Sequence, residues 1–286
     1  CFVPETPRWL LSKGRLKECR KVLQKIEPEN TVNDLIGQME VEIEKDRNSA
    51  VGWRYLMQPW LRTPLMIAVC IMFFQQFVGI NTVIYYSPKI FLMAGFESTL
   101  SAIWASVGIG IVNVVFTVIS LYLVDRIGRR KLYFIGLSGI AFSVLCLSAC
   151  FIYANQLGEI GRWLMVIFMF GYVAFFAISI GPLGWLVISE IFPQKVRGLG
   201  TSIGSLAVWI FNCIVSFTFF KIIDFFSIPG TEIVVGQTTS ENPAGAFFLY
   251  GFIAVLGLVW GYLFLPETKG LSLEEIEQKW RKNREC

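Results

Sequence analysis

The stretch PLMIAVCIMFFQQFVGINTVIYYSPKIFLMAG (residues 64–95) is long and apolar enough to cross a membrane, yet amide side chains interrupt it. Gln75, Gln76 and Asn81 lie near its centre, with Gly79 among them. Amides inside a membrane are costly unless they face a cavity or a neighbouring helix. Because they are neutral and both donate and accept hydrogen bonds, they suit a neutral solute that carries many hydroxyl groups.

The rest of the chain has the composition of a helical membrane protein. Of its 286 residues, 55% are hydrophobic and 16% are charged, and the mean hydropathy is +0.59. A hydrocarbon core about 30 Å thick requires about 20 apolar residues per helix. Six segments meet this requirement: residues 64–94, 100–124, 132–154, 163–189, 199–226 and 244–265. We predict an all-α polytopic membrane protein, with loops at 95–99, 155–162 and 227–243.

The basic residues indicate how these spans are oriented. With three exceptions, the 25 Lys and Arg fall in four segments that alternate along the spans: residues 1–62, 126–131, 195–197 and 269–284. The positive-inside rule places these segments, and both ends of the chain, in the cytoplasm. Because the charges flank membrane spans, we expect no nucleic-acid partner.

A repeated motif divides the chain and predicts a larger protein. Phe2-Val3-Pro4-Glu5-Thr6 recurs as Phe264-Leu265-Pro266-Glu267-Thr268, where it ends a span. By analogy a span should also precede the first copy, so we expect the chain to be the second of two six-helix halves. The expected parts are a cytoplasmic helical linker at 1–62, a transmembrane bundle at 63–266 and a cytoplasmic tail at 267–286.

The linker has two amphipathic stretches. Leu16, Cys19 and Leu23 recur at helical spacing, the residues from Pro28 to Asn33 should break the pattern, and a second stretch begins at Leu35. A membrane-surface anchor is one interpretation. Acidic residues in the second stretch favour packing against cytoplasmic loops instead, because anionic lipid would repel them.

The amides of the first span have two interpretations. On a continuous helix Gln76 and Asn81 would face apart, whereas a break at Gly79 would bring them to one cavity. The alternative is that each amide bonds across to a neighbouring span. We favour the cavity, because two adjacent glutamines cannot both face one neighbour well.

Other spans supply further candidates for the same cavity. An indole offers a sugar ring a flat apolar face and one hydrogen-bond donor. The helix-disrupting run from Gly181 to Gly184 places Trp185 inside the fourth span. The candidates are Asn113 with Thr117, Trp185, and, in the fifth span, Trp209, Asn212 and Ser216.

Enzyme chemistry has no support in the sequence. The chain contains no histidine, which excludes a Ser-His triad and a histidine metal site. We find no phosphate-binding loop and no dinucleotide-binding glycine pattern. We predict neither enzymatic activity nor a metal or cofactor.

Four motifs resemble one family: Pro4-Glu5-Thr6-Pro7-Arg8-Trp9-Leu10, Gln75-Gln76 with Gly79 and Asn81, Asp125 to Arg130, and Pro266-Glu267-Thr268-Lys269-Gly270. Together they are similar to the sugar-porter branch of the major facilitator superfamily, the glucose facilitators and xylose–proton symporters. The resemblance implies twelve helices in two bundles, of which this chain would supply the second. It implies alternating-access transport of a hexose, a pentose or a related polyol across the plasma membrane. A sugar sensor of the same fold, without transport, is the alternative.

The resemblance also implies residue roles. Sugar ligands would be Gln75, Gln76, Asn81, Asn113 and Trp185, to which the residue pattern adds Trp209 and Asn212. Tyr85 and Tyr86 would close the outer side of the site. The inner gate would consist of Glu5, Arg8, Asp125, Arg129, Arg130, Glu190, Arg197 and Glu267. From the residues alone, these charges would either close the inner mouth as a network or anchor the topology.

Two departures from the family pattern bear on the substrate. Ala177 stands where glucose facilitators carry an acidic residue, and Val208 where many members carry an amide. Because both changes remove polar partners, a pentose or a polyol becomes a candidate substrate alongside glucose. Co-transport of a proton is left open, because the acidic group of the family's proton symporters lies on a helix that this chain does not contain.

Overall fold

A computed structural model describes residues 5–48, 53–96, 98–193, 196–226, 233–235, 238–240 and 242–270. The chain divides into two compact units between Tyr55 and Leu56. We describe each unit by itself.

The first unit is a small helical domain. Its helices are α1 (Pro7–Ser12), α2 (Leu16–Leu23) and α3 (Glu29–Asn48), and α4 (Trp53–Leu56) crosses the division. Their apolar faces meet in a core of Leu10, Cys19, Leu23, Val32 and Ile36. The break expected from Pro28 to Asn33 is shorter than predicted, because helix α3 already begins at Glu29. Proline needs no N–H partner and is tolerated beside a helix start.

The second unit contains the apolar helices. After a 3₁₀ turn (Pro59–Leu61) come α5 (Arg62–Phe77), α6 (Ile80–Met93), α7 (Thr99–Ile127), α8 (Arg129–Ile152), α9 (Ala154–Ile178), α10 (Ile180–Glu190), α11 (Arg197–Phe225) and α12 (Ala244–Phe264). Helices α5 with α6, and α9 with α10, each form one broken span. In the described residues, six stretches are therefore long and apolar enough to cross a membrane, and the predicted helical membrane fold is confirmed.

Two loops differ from expectation. The loop predicted at 155–162 is helical within α9 except near Gly158, whose φ of 54° and ψ of −127° mark a turn that glycine can adopt. The segment predicted at 227–243 contains two short antiparallel strands, β1 (Ile233–Val235) and β2 (Thr238–Ser240), which pair with each other. Hydropathy alone could not reveal either detail, because both segments are simply polar interruptions between apolar runs.

Glycines allow the central helices to approach closely. A Cβ on Gly261 would lie 2.4 Å from the ring of Tyr133, and one on Gly257 would lie 2.8 Å from Leu137. The Tyr133 hydroxyl donates to the Gly257 carbonyl at 2.9 Å. Small residues at membrane helix contacts serve this purpose. Helix α8 is thereby packed tightly against α12.

Candidate functional site

The first broken span turns at Gly79. Its φ of +87° lies in the left-handed region, where glycine avoids the steric penalty of a side chain. Space is a second reason for glycine here, because a Cβ at this position would lie 2.3 Å from the ring of Tyr250. The break that the sequence predicted at Gly79 is therefore present.

The second broken span turns at Ser179, two residues before the disrupting run that begins at Gly181. Pro182 has no N–H to donate to the Ile178 carbonyl, and the Ser120 hydroxyl donates to that carbonyl instead, at 2.9 Å. A Cβ on Gly136 of helix α8 would lie 1.6 Å from the Ser179 hydroxyl oxygen. Helix α8 thus leaves room for this break.

A cleft of about 360 Å³ lies where the two broken spans meet helix α7. Its lining is uncharged and mixes amides with apolar and aromatic side chains. The lining residues are Gln75, Gln76, Ile80, Asn81, Ile84, Asn113, Thr117, Phe176, Ala177, Gly181, Pro182 and Trp185. Such a surface suits a ligand that has both hydroxyl groups and an apolar face.

Three amides in the cleft form a hydrogen-bonded chain. Asn81 Nδ2 donates to Gln76 Oε1 at 2.5 Å, and Gln76 Nε2 donates to Gln75 Oε1 at 3.4 Å. Gln75 Nε2 donates in turn to the carbonyls of Ile180 at 3.1 Å and Gly181 at 2.7 Å. This series of hydrogen bonds connects the two broken spans.

These hydrogen bonds divide the predicted amide ligands into two groups. Gln75 is only 2% exposed, and both hydrogens of its amide nitrogen are used by helix α10. Within the described residues, the Asn81 Oδ1 oxygen and the second hydrogen of Gln76 Nε2 have no protein partner. In this arrangement Gln76 and Asn81 can bind a ligand directly, whereas Gln75 supports them.

Asn113 and Trp185 complete the cleft from the sides. Thr117 Oγ1 donates to Asn113 Oδ1 at 3.4 Å, so the amide nitrogen of Asn113 remains a donor for a ligand. Trp185, from helix α10, is 44% exposed and offers its ring to the same space. The structure thus brings five of the seven predicted sugar ligands together.

The other two, Trp209 and Asn212, do not line this cleft. Trp209 is 65% exposed on helix α11. Asn212 Nδ2 donates to the Tyr85 hydroxyl at 3.4 Å and its Oδ1 accepts from Ser216. Their role as sugar ligands stays a prediction.

The two predicted outer-gate tyrosines differ in their surroundings. Tyr85 is exposed apart from its contact with Asn212. The Tyr86 ring stacks on Phe219 with centroids 5.5 Å apart, and its hydroxyl donates to the Ser216 carbonyl at 3.3 Å. Both tyrosines therefore connect helix α6 to helix α11.

Five charged residues and one threonine gather at the junction of α7 and α8, in what we call the Arg129 cluster: Asp125, Arg129, Arg130, Glu190, Glu267 and Thr268. Arg129 Nη2 lies 2.9 Å from Glu190 Oε1 and 3.5 Å from Asp125 Oδ1. Glu190 Oε2 accepts from the Thr268 hydroxyl at 2.6 Å.

Glu267 caps the start of helix α8 within this cluster. Its two carboxylate oxygens accept the backbone N–H groups of Arg129 at 3.0 Å and Arg130 at 3.1 Å. The first N–H groups of a helix lack intrahelical partners, and a carboxylate there is stabilised by the helix dipole. Glu267 thus ties the segment after α12 to helix α8.

The other three predicted inner-gate residues are Arg197, Glu5 and Arg8. Arg197, at the start of α11, has buried Nε and Nη2 atoms with no hydrogen-bond partner among the described residues. Glu5 and Arg8 belong to the first unit, where both are exposed. A gating role for all eight charges stays a prediction.

A second cavity, of about 410 Å³, has a different character. Its lining includes the charged pair Glu159 and Arg162 beside Phe96, Ser98, Ser101 and Trp163. Arg162 Nη2 lies 3.7 Å from Glu159 Oε1. A cavity lined by charges is less suited to a neutral solute than the amide-lined cleft, so we take the cleft as the candidate site.

The sequence interpretation missed the apolar wall of the cleft, formed by Ile80, Ile84 and Phe176. Spacing could have found part of it, since Ile80 and Ile84 lie one turn apart on the face that carries Asn81. It also missed Tyr172 and Tyr250, which are buried beside the break at Gly79. Nothing in their sequence neighbourhood separates them from ordinary core aromatics.

Comparison with known proteins places the chain in a family. The sequence model of the family described as "Sugar (and other) transporter" matches residues 1–280. The chain is 34% identical over 278 residues to the D-xylose-proton symporter of Escherichia coli, covering 97% of this chain and 53% of that protein. It is 35% identical over 280 residues to the glucose transporter GlcP of Staphylococcus epidermidis, covering 98% and 58%.

A solved structure agrees with these relatives. The proton:xylose symporter XylE bound to 6-bromo-6-deoxy-D-glucose superposes with a TM-score of 0.72 and 33% identity, covering 97% of this chain and 55% of that one. The chain spans about half the length of the curated relatives it matches. Its motifs, its six apolar helices and these matches agree, and the chain belongs to the sugar-transporter family of the major facilitator superfamily.

Proposed function

We propose that the protein containing this chain transports a monosaccharide or a related polyol across the plasma membrane, by alternating access. The observation that carries the proposal is the uncharged cleft at the meeting of two broken spans, which is lined by Gln76, Asn81, Asn113 and Trp185 among others. Broken helices that meet near the middle of the spans are the usual construction of a solute site in transporters.

The chemistry of the cleft matches a neutral, hydroxylated ligand. Amides can donate to and accept from sugar hydroxyls, while Trp185 and Phe176 can pack against the C–H face of a ring. No charged side chain lines the cleft in the described residues, which disfavours an ionic substrate. The same observation supports a proton-carrying group outside this cleft for any coupled transport.

The cleft suits several classes of hydroxylated substrate. Ala177 lines the cleft where a carboxylate would otherwise offer strong hydrogen bonds. A hexose, a pentose and a cyclic polyol each supply enough hydroxyl groups for the available amides. The two broken spans would change angle as the bundles rock, exposing the site first on the outer side and then to the cytoplasm, where we place both ends of this chain.

The test is uptake by the full-length protein in proteoliposomes, with radiolabelled D-glucose, D-xylose and myo-inositol. Wild type should take up at least one of them above empty vesicles, and a pH gradient will show whether a proton is coupled. Asn81→Ala should weaken the affinity about tenfold, since it removes a hydrogen-bonding group from a desolvated site.

Gln156→Ala is the matched control, because Gln156 is an exposed amide outside the cleft. It should behave as wild type. Absence of uptake of every sugar tested, with and without the gradient, would reject the sugar assignment. Equal loss in Asn81→Ala and Gln156→Ala would reject the cleft as the site.

A further inference from the structure

Breaking a helix leaves backbone carbonyls that need hydrogen-bond donors. At the first break, Val78 and Gly79 lie between helices α5 and α6. The Gly79 carbonyl accepts from Val83 N at 3.3 Å and from the Thr82 hydroxyl at 2.7 Å. Among the described residues, no backbone N–H donates to the Val78 carbonyl.

Tyr172 supplies the donor that the Val78 carbonyl lacks. Its hydroxyl lies 2.9 Å from that carbonyl oxygen, and its side chain is fully buried. Tyr172 belongs to helix α9 and does not line the cleft. It therefore acts on the break and not on a ligand in the cleft.

The first broken span also donates side-chain hydrogen bonds to the second. Gln75, three residues before Val78, donates to the carbonyls of Ile180 and Gly181 in the first turn of α10. Tyr172 lies seven residues before the break at Ser179. Each broken span thus donates a side-chain hydrogen bond to the backbone of the other, close to the other's break.

This arrangement bears directly on the amides that face the cleft. Gln76 precedes Val78 by two residues, and Asn81 follows it by three. The hydrogen bond from Asn81 to Gln76 spans the break, so its length depends on the angle between α5 and α6. A hydroxyl that fixes the Val78 carbonyl also fixes how these two amides point.

We propose that Tyr172 is a positioning residue for ligand binding, which acts by holding the Val78 carbonyl and so orienting Gln76 and Asn81. This inference rests on the proposed function of the cleft. It assigns to Tyr172 of helix α9 a role in recognition without direct contact with the ligand, since Tyr172 does not line the cleft. Removing the hydroxyl should leave the ring in place but release the break.

The experiment compares Tyr172→Phe with Tyr133→Phe in the full-length protein. Tyr133 is an exact chemical match, because its buried hydroxyl also donates to a backbone carbonyl at 2.9 Å, that of Gly257 inside the continuous helix α12. Binding is measured by calorimetry with D-glucose, D-xylose and myo-inositol. Tyr172→Phe should weaken the affinity about tenfold, as expected when a buried carbonyl loses its partner; Tyr133→Phe should change it less than about twofold.

A double-mutant cycle with Asn81→Ala separates positioning from general destabilisation. If Tyr172 acts through Asn81, Tyr172→Phe should cost much less affinity when Asn81 is already alanine. Additive losses, unchanged affinity in Tyr172→Phe, or an equal loss in Tyr133→Phe would each overturn the proposal. If Tyr172→Phe does not fold while Tyr133→Phe does, the Tyr172 hydroxyl is needed for folding and the positioning role is overturned.

Hydrogen exchange provides a readout that needs no sugar. Tyr172→Phe should speed amide exchange at residues 78–83 relative to wild type, whereas Tyr133→Phe should not. If wild type binds none of the three compounds, the proposed function fails, and unchanged exchange at 78–83 then overturns the positioning role separately. Faster exchange there would support Tyr172 as the residue that holds the break.

Discussion

Gln75 Nε2 lies 2.7 Å from the carbonyl oxygen of Gly181, so an amide of the first broken span is bonded to the first turn of α10. Gly184, one turn further along α10, leaves the space that this amide occupies. A Cβ on Gly184 would lie 2.9 Å from Gln75 Nε2. The contact explains why a glycine precedes Trp185 in a helix that must pack against a glutamine.

Gly184→Ala should therefore weaken ligand binding by displacing Gln75, and with it Gln76 and Asn81. We expect a loss of about threefold to tenfold in affinity, since one or two hydrogen bonds lengthen without being removed. Isothermal calorimetry on the purified protein measures it. Gly110→Ala is the control, because a Cβ at Gly110 meets nothing within 4 Å; a comparable loss in that variant would contradict the explanation.

Gly79→Ala should destabilise the protein for two reasons. Alanine is strained at a φ of +87°, and its Cβ would press on the ring of Tyr250. Strain and overpacking together should cost about 2–4 kcal/mol. Thermal unfolding in detergent measures the loss as a lower Tm.

Tyr250→Leu separates the two causes. If the ring contact contributes, Gly79→Ala should cost less in the Tyr250→Leu background than in wild type, and the difference is the coupling between the two positions. An identical cost in both backgrounds would mean that backbone strain alone makes glycine necessary at this break.

The Arg129–Glu190 pair should contribute more to stability than the Arg162–Glu159 pair. The side chains of Arg129 and Glu190 are 13% and 21% exposed, and their charged atoms lie 2.9 Å apart. The side chains of Arg162 and Glu159 are 35% and 80% exposed, and their charged atoms lie 3.7 Å apart. Glu190→Gln should cost about 1–3 kcal/mol, because it leaves a poorly solvated guanidinium with weaker partners. Glu159→Gln should cost about 0–1 kcal/mol.

Thermal unfolding of both variants at low and high salt checks this order. Salt should reduce the small effect of Glu159→Gln and leave most of the Glu190→Gln effect, because buried pairs are screened less. An effect of Glu190→Gln as small as that of Glu159→Gln would show that the Arg129 cluster adds little to folding.

Cys19 should react slowly with alkylating agents in the folded first unit. Its side chain is fully buried in the core of the first unit, and this burial raises the pKa of the Cys19 thiol, with the charge of Glu40 adding to the effect. Less thiolate is then present at pH 8 than an unfolded chain would have, and the thiolate is the reactive form.

Mass mapping after iodoacetamide treatment measures this reactivity. Leu23→Ala, which opens the same core, should speed the labelling of Cys19, and urea should speed it further. The folded-state pKa is raised, so the thiol contributes stability below its unfolded pKa and loses it as the pH rises through the folded value. Rapid labelling of Cys19 in the native wild type would contradict its burial.

Much of the fold could be predicted because its causes are local. Apolar runs of membrane length identify spans whatever their neighbours are, and the fit of α7 to the predicted 100–124 illustrates this. The break at Gly79 was also predictable, because a glycine among amides is a local signal. The turn at Ser179 was not, since it depends on Ser120 of α7 and Gly136 of α8. The helical start of α9 was not either, because hydropathy shows only a polar interruption there.

The residues of the site could be predicted from the sequence, but the hydrogen bonds that hold them could not. Residue types alone suggested Gln76, Asn81, Asn113 and Trp185, and the fold brings these side chains to one cleft. The bonding of Gln75 to helix α10 could not be read from the chain, because its partners are carbonyls 105 and 106 residues away. Backbone carbonyls have no signature in a sequence.

The sequence by itself determined the spans, the break at Gly79 and the neutral chemistry of the candidate site, because length, hydropathy and glycine act at short range. Only the tertiary structure decided which side chain holds which broken segment. Tyr172 reaches the Val78 carbonyl and Gln75 reaches helix α10 because the two broken spans pack against each other, α5 against α10. A buried carbonyl accepts whichever donor the packing brings within reach.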